Sequence, residues 1–319
     1  MRVAISGAAG FLGKHLVRMA RERGDTVIPL VRARTASSDP EARSLEEFLL
    51  EAPGERIDAF IHAAAVRHRH GVDLEEYRAS NVDLPVRIAR ALHTNLGRFV
   101  LVSSVGVYGW PSNLPVSERT PYAPRTTYSE TKVLAERGMR SLASELALDL
   151  TIVRPTIVYG PGDTNGMLDK LARALEAHRY AIVGSGHNVL HHTFVDDMVD
   201  GILLAARHPA AANDDFILAG PETTTLRELS EYVARAVGVR LPRVSIPLAA
   251  ARVASSAIAA AARLGLAYAQ REPPVSHEKL DVMTLPIAFD IGKARARLGY
   301  APAVGYAAGV PRAVSRGGR

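Results

Sequence analysis

Val3-Ala4-Ile5-Ser6-Gly7-Ala8-Ala9-Gly10-Phe11-Leu12-Gly13 stands at the start of the chain, and its reading decides the fold. Val3 to Ser6 is a short apolar run rich in β-formers, which reads as a buried parallel strand. Three glycines spaced three apart follow. Then comes His15 to Arg23 with helical periodicity, stopped by Gly24. Gly-x-x-Gly-x-x-Gly between a strand and a helix is the context of a dinucleotide fingerprint. Gly7 permits the tight turn, Gly10 lets backbone approach a pyrophosphate, and Gly13 lets helix and strand pack closely. The helix N-terminus adds free N–H groups and a positive dipole end. Thr26 to Val31 supplies the second strand, although Pro29 removes a ladder donor from it.

The same rhythm continues. From Arg32 to Arg56 the chain is polar, with one helical piece at Leu45–Leu50. Strands are predicted at 57–65, 98–104 and 150–154, the last ended by Pro155. Helices are predicted at 74–96, broken near Pro85, and at 127–148. Strands alternating with helices imply an α/β fold, a Rossmann-type doubly wound parallel sheet. After Pro161-Gly162 the segments shorten: helices at 167–178, 197–207, 226–237 and 291–298, strands near 181–183 and 215–218, and a Pro273-Pro274 break. We therefore expect a dinucleotide-binding domain over residues 1–160, with contributions from about 191–220. A smaller, partly interleaved substrate lobe is expected over 161–319.

Composition narrows the functional classes. Among 319 residues, 47% are hydrophobic and 23% charged, as in an ordinary soluble globular protein. There is no cysteine, which excludes disulfides and thiolate metal sites and suits a reducing cytosol. The surplus of 39 basic over 33 acidic residues suits anionic ligands such as nucleotides. A dense basic stripe with interleaved aromatics is missing, so nucleic acid is not an expected partner. No apolar leader precedes the first strand, and a cytoplasmic location is expected. Pro247 to Ala269 is apolar but interrupted by Arg252, Ser255, Ser256 and Arg263. It reads as an amphipathic, partly buried helix rather than a stable membrane insertion, with peripheral membrane or partner contact as the other reading. Val66-Arg67-His68-Arg69-His70 either lines a substrate entrance or is an exposed basic loop. His68 and His70 have no carboxylate at fitting spacing, so no metal is expected.

Chemistry enters with Tyr128-Ser129-Glu130-Thr131-Lys132. On a helix, residues four apart share a face, about 5–6 Å apart at Cβ. A phenol has an intrinsic pKa of about 10, and a nearby ammonium lowers it by favouring the phenolate. Tyr-x-x-x-Lys is thus a plausible acid/base unit, although a surface helix can carry the pair by chance. The end of the second strand bears on cofactor choice. An acid there would accept from the NAD ribose hydroxyl, whereas a cation accommodates the 2′-phosphate of NADP. Val31-Arg32-Ala33-Arg34 has no acid, and Arg32 suits a bidentate phosphate contact or caps an exposed strand end.

Taken together, the motifs resemble the extended short-chain dehydrogenase/reductase family of the NAD(P)-dependent epimerase/dehydratase type. The resemblance rests on Gly7 to Gly13, His62-Ala63-Ala64-Ala65, Asn81-Val82, Ser103 to Gly109, Tyr128 to Lys132, Arg154 to Gly162, Phe194-Val195-Asp196-Asp197 and Phe289 to Tyr300, in that order. It implies that Ser104 is the catalytic serine and Tyr128 the general acid/base. It implies that Lys132 binds the nicotinamide ribose and lowers the tyrosine pKa. Phe11 and Leu12 would cradle the pyrophosphate. Ala63, Ala64 and Ala65 would lie beside the adenosine and ribose, Asn81 and Ser103 near the cofactor, and Pro155, Thr156 and Ile157 beside the nicotinamide. Helices 81–96 and 128–147 match the surfaces through which relatives form a homodimer.

Two departures shape the functional expectation. The adenine-holding Asp-Leu or Asp-Ile motif of many relatives is missing, with Leu45-Glu46 or Ile57-Asp58 as substitutes. Relatives acting on nucleotide-sugars often carry an arginine, seven before the second aspartate of Val-Asp-Asp, on the substrate diphosphate. This chain has Leu190, followed by His191 and His192. Those histidines compensate only if protonated. The expected activity is an NADP-preferring oxidoreductase, with NAD possible, that interconverts a ketone and a secondary alcohol on a small-molecule substrate. The alternatives are a nucleotide-sugar 4-epimerase or dehydratase with tightly bound NAD, and a non-catalytic nucleotide-binding regulator.

Overall fold

The computed structural model describes residues 1–32, 37–51, 54, 56–66, 73–164, 166–263 and 276–315. Arg34, Arg67 to His70, the end of the alanine-rich run and Pro273-Pro274 lie outside the described residues.

Successive residues of the first strand are buried on opposite faces. Val3 and Ile5 pack into one hydrophobic cluster and Ala4 into another. Val100 and Val102 divide from Phe99 and Leu101 in the same way. Strands apolar on both faces need helices on both sides. The elements supply them: β1 Arg2–Ser6, α1 Phe11–Glu22, β2 Thr26–Val31, β3 Arg43–Ser44, α2 Leu45–Glu51, β4 Ile57–His62, α3 Leu74–Arg78, α4 Leu84–Leu92, β5 Leu96–Val102, α5 Thr127–Leu146 and β6 Leu150–Pro155.

The break expected at Pro85 falls elsewhere. α3 and α4 are joined by a π-helical turn, Ala79–Asp83, and Pro85 sits in the first turn of α4, where a missing N–H costs nothing. Pro29 is accommodated by register. Thr26 N–H donates to Met1 O, and Leu30 O accepts from Ala8 N–H, so even-numbered residues of β2 face β1. The backbone nitrogen of Pro29 therefore faces the outer edge, where β3 covers only Leu30 and Val31.

The remaining elements are shorter: β7 Val158–Tyr159, α6 Met167–Glu176, β8 Ile182–Val183, β9 Val189–Leu190, β10 Thr193–Phe194, α7 Val195–Arg207, β11 Asp215–Leu218, β12 Thr224–Thr225, α8 Leu226–Ala236, β13 Ser245–Ile246, α9 Leu248–Arg263, α10 His277–Thr284, α11 Gly292–Leu298 and α12 Tyr306–Val314. β11 returns to the main sheet beside β6, giving the parallel order β11-β6-β5-β4-β1-β2-β3. This is a Rossmann-like α/β architecture, with the strand order reversing between β1 and β4. Within α9, Ala251 and Ser255 are buried one turn apart while Val253 is 70% exposed. Among the described residues no helix is long and apolar enough to cross a membrane.

Candidate functional site

Ligands of open parallel sheets bind beyond the carboxyl ends of the strands, where the order reverses. That point lies between β1 and β4, and it carries the Gly7 turn on one side and Ala63 to Ala65 on the other. Gly7 has φ +78°, and a Cβ there would lie 2.7 Å from Ala64 N. A Cβ at Gly13 would lie 2.0 Å from Gly7 O, so helix and turn touch as backbone against backbone. A Cβ at Gly10 would meet only Gly7 O, at 3.1 Å, and the residue is exposed. α1 has no acidic residue in its first turn, so its N–H end faces outward uncompensated. Phe11 and Leu12 begin that helix, half-buried. This cradle fits a pyrophosphate. Arg32 is exposed directly after β2. Beneath the turn, the buried Ser6 hydroxyl bonds His62 Nδ1 at 2.8 Å. Burial, reinforced by the Lys132 charge, pushes His62 down to about 3.

The second part of the site gathers where β5 meets α5. Ser104 caps a short 3-10 helix, Val105–Tyr108, its Oγ accepting from Gly106 N–H at 3.0 Å. That helix rests on α5: a Cβ at Gly106 would lie 3.3 Å from Ser104 Oγ and 3.6 Å from Ser129 Cβ. The start of α5 is fixed by a capping box. Ser129 N–H donates to Thr126 Oγ1 at 3.1 Å, and Thr126 N–H donates to Ser129 Oγ at 3.0 Å. The first turn carrying Tyr128 is therefore held rigidly. Lys132 follows one turn later, its Nζ 5.8 Å from the Tyr128 ring centroid and donating to Val102 O at 2.9 Å. Burial lowers Lys132 to about 8, while Glu136 acts in the opposite direction.

Behind this pair lies a buried polar network, whose Glu136 and Tyr122 the sequence motifs do not single out. Glu136, one turn after Lys132, is fully buried. It accepts from Ser103 Oγ and Tyr122 OH, each at 2.5 Å, and from Arg154 Nη2 at 2.7 Å. Arg154 also donates to Tyr108 OH at 2.7 Å, to Tyr122 OH at 2.9 Å and to Asp215. Its partners keep Arg154 firmly charged despite burial. The available signal is spacing: Tyr128, Lys132 and Glu136 recur every four residues, so the acid shares the helix face of Tyr128 and Lys132.

Other expected residues fall into supporting positions. The Ser103 hydroxyl turns inward to Glu136. Asn81, brought in by the π-helical turn, accepts from Val66 N–H at 2.9 Å and donates to Thr131 Oγ1 at 3.2 Å. It braces the segment after Ala63 to Ala65 against α5. Pro155 and Thr156 are buried, with Thr156 Oγ1 bonded to Thr193 Oγ1 at 2.6 Å, while Ile157 is 42% exposed. Leu190, His191 and His192 are all buried. Phe289 N–H donates to His191 Nδ1 at 3.1 Å, which leaves Nε2–H to donate to Gly220 O at 3.0 Å, the pattern of a neutral ring. Burial lowers His191 and takes His192 down to about 3. Neither histidine is a cation near neutral pH. A cleft of about 280 Å³ is lined by Trp110, Arg125, Glu278 and Asp281, beside the approach to α5. Among the described residues no group of three or more His, Asp or Glu side chains is disposed to hold a metal.

The chain has counterparts among known proteins. The sequence model of the NAD dependent epimerase/dehydratase family matches residues 3–219. A UDP-glucose 4-epimerase of Mycolicibacterium smegmatis is 31% identical over 75% of this chain and 83% of its own. A 3-beta-hydroxysteroid dehydrogenase of Mycolicibacterium neoaurum is 28% identical over 94% of this chain and 87% of its own. Among solved structures, UDP-glucuronic acid 4-epimerase from Bacillus cereus, in complex with NAD, superposes with a TM-score of 0.76 at 19% identity, covering 98% of this chain and 97% of that one. The last likeness is one of fold.

Proposed function

The chain belongs to the NAD-dependent epimerase/dehydratase family, and we propose that within it the protein is an NADP-preferring oxidoreductase acting on an uncharged ketone or secondary alcohol. The observation that carries this reading is the neutral, buried trio Leu190, His191 and His192. A substrate diphosphate there would lose its charge-assisted partner. A steroid-like or other apolar alcohol has no such need, and the hydroxysteroid dehydrogenase relative supports that substrate class.

A bound nicotinamide would supply or accept the hydride. Gly7 to Gly13, with the N-terminus of α1, would hold its pyrophosphate. Ala63 to Ala65 would flank the adenosine side, and Arg32 would meet a 2′-phosphate. Pro155, Thr156 and Ile157 would flank the nicotinamide. Tyr128 gives a proton to the carbonyl oxygen in reduction and removes one from the hydroxyl in oxidation. Lys132, with its charge beside the Tyr128 ring, favours the phenolate and holds the ribose. The Ser104 hydroxyl hydrogen-bonds the reacting oxygen as charge develops on it. The cleft at Trp110 and Arg125 would admit the substrate. α4 and α5 are proposed as the faces of a homodimer, which sedimentation at micromolar concentration tests by its mass.

The test is direct. Purified protein offered NADPH and a panel of uncharged ketones should oxidise the cofactor in proportion to product alcohol. The second reading, a nucleotide-sugar epimerase, is supported by the relative from Mycolicibacterium smegmatis. It requires tightly held NAD released on denaturation and no net cofactor consumption.

A further inference from the structure

The end of β5 is gripped at consecutive residues by one face of α5. Val102 O accepts from Lys132 Nζ at 2.9 Å, and Ser103 Oγ donates to Glu136 at 2.5 Å. Ser104 comes next in the chain, so wherever Ser103 is held, Ser104 is carried with it. The same carboxylate of Glu136 binds Tyr122 OH at 2.5 Å, and Arg154 ties Tyr122 and Tyr108 together from the other side. Tyr108 closes the 3-10 helix that Ser104 caps. Ala123 N–H, beside Tyr122, donates to Val107 O at 2.9 Å. Loop 105–126 is thereby folded back onto one buried acid. A buried acid is costly unless fully paired, and this one is paired on every side.

We propose that Glu136 is a positioning residue that acts through two neighbours: through Ser103 it fixes Ser104 against the start of α5, and through its charge it keeps the Lys132 ammonium protonated beside Tyr128. This rests on the oxidoreductase reading for its consequence in catalysis. The electrostatic half follows from spacing. Glu136 is one helical turn from Lys132, and Tyr128 is one turn on the other side. The groups facing Lys132 are Tyr128 and Glu136 on its own helix, the neutral His62 on β4, and Arg154 on β6 behind Glu136. Among them Glu136 is the neighbour that favours the charged amine. Ser103 and Tyr122 carry only the geometric half, because replacing them leaves the carboxylate and Arg154 in place.

The chain has five lysines, so the titration of each ε-amine can be followed by NMR of lysine-labelled protein, with Lys132 assigned by the signal missing in Lys132→Arg. In the wild type Lys132 should titrate near 8. In Glu136→Gln its midpoint should fall by roughly one pH unit or more, as expected for removing a charge one turn away in partly buried surroundings. In Ser103→Ala and Tyr122→Phe the midpoint should stay, while kcat falls roughly tenfold with little change in cofactor KM, the pattern of a displaced reacting group. An unmoved Lys132 midpoint in folded Glu136→Gln overturns the proposal. So does wild-type kcat in both Ser103→Ala and Tyr122→Phe, which also decides the matter if Glu136→Gln does not fold. Should the wild type transfer no hydride to any substrate, the oxidoreductase reading fails, and the lysine titration still decides whether Glu136 governs Lys132.

Discussion

Two clusters of buried titratable side chains treat charge in opposite ways. Around β5, β6 and α5, Glu136 and Arg154 are buried and yet paired, the arginine with two acids and two phenols, while Lys132 bonds Val102 O one helical turn from the Glu136 carboxylate. Around β9 and β10, His191 and His192 are equally buried but have no counter-charge, and both are driven neutral. Burial is the same in the two places, and the partners differ. Removing a charge from water is offset only by an opposite charge or several hydrogen bonds. The first cluster preserves a cation beside the candidate acid/base. The second leaves both histidines after Leu190 uncharged near neutral pH.

The largest effect should come from breaking the charged cluster's purpose. Tyr128→Phe should reduce turnover by roughly 10²–10⁴-fold, the usual contribution of a general acid/base. Nucleotide binding, measured by fluorescence of the reduced cofactor, should be nearly unchanged, and wild-type turnover would refute the role. Next, Gly13→Ala forces a Cβ to 2.0 Å from Gly7 O. It should destabilise the fold by about 1–3 kcal/mol in denaturant unfolding and weaken nucleotide binding with it. Unimpaired binding would mean that the turn is not the pyrophosphate cradle.

The neutral cluster is tested by acid. His192 sits near 3 in the fold against 6.5 for an ordinary histidine. Between those values the unfolded chain binds a proton that the folded chain does not, so stability is full above about 6.5 and falls as pH drops. His192→Leu should flatten that decline by up to about 1.4 kcal/mol per pH unit, read from melting between pH 6.5 and 5. An unchanged slope would mean that His192 is charged after all. The smallest effect concerns cofactor choice. Arg32→Ala should weaken NADPH about tenfold, close to 1.4 kcal/mol, and NADH less. Equal losses would remove the 2′-phosphate contact. Across the charged cluster, turnover should fall as pH rises through about 8, where Lys132 gives up its proton.

How much of the molecule is legible in its sequence follows the range of the interactions. Val3 to Gly13 reads correctly because a strand, a glycine turn and a helix start are each fixed by neighbouring residues. The two-residue strands Val189–Leu190 and Thr224–Thr225 pair across the chain and have no period to read. The helices His277–Thr284 and Tyr306–Val314 escape a reading by period because one is short and the other contains Pro311. The π-helical turn passes for a proline break at Pro85, because a proline in a helical pattern looks the same whether it interrupts or begins a helix. Ser104, Tyr128 and Lys132 are legible as a pattern. The pairing of Glu136 with Arg154 is not, because it depends on β6 lying against α5, a contact between residues 18 positions apart.

The proposed activity is net hydride transfer to or from an uncharged substrate, with the proton moved by Tyr128. Its most direct test mixes purified protein with NADPH and uncharged ketones, follows loss of the reduced nicotinamide, and weighs alcohol formed against cofactor consumed. Equal amounts of the two are expected, formed more slowly with NADH, and nothing with Tyr128→Phe. Turnover of a nucleotide-sugar with no cofactor consumed, and NAD released from the denatured protein, would contradict it.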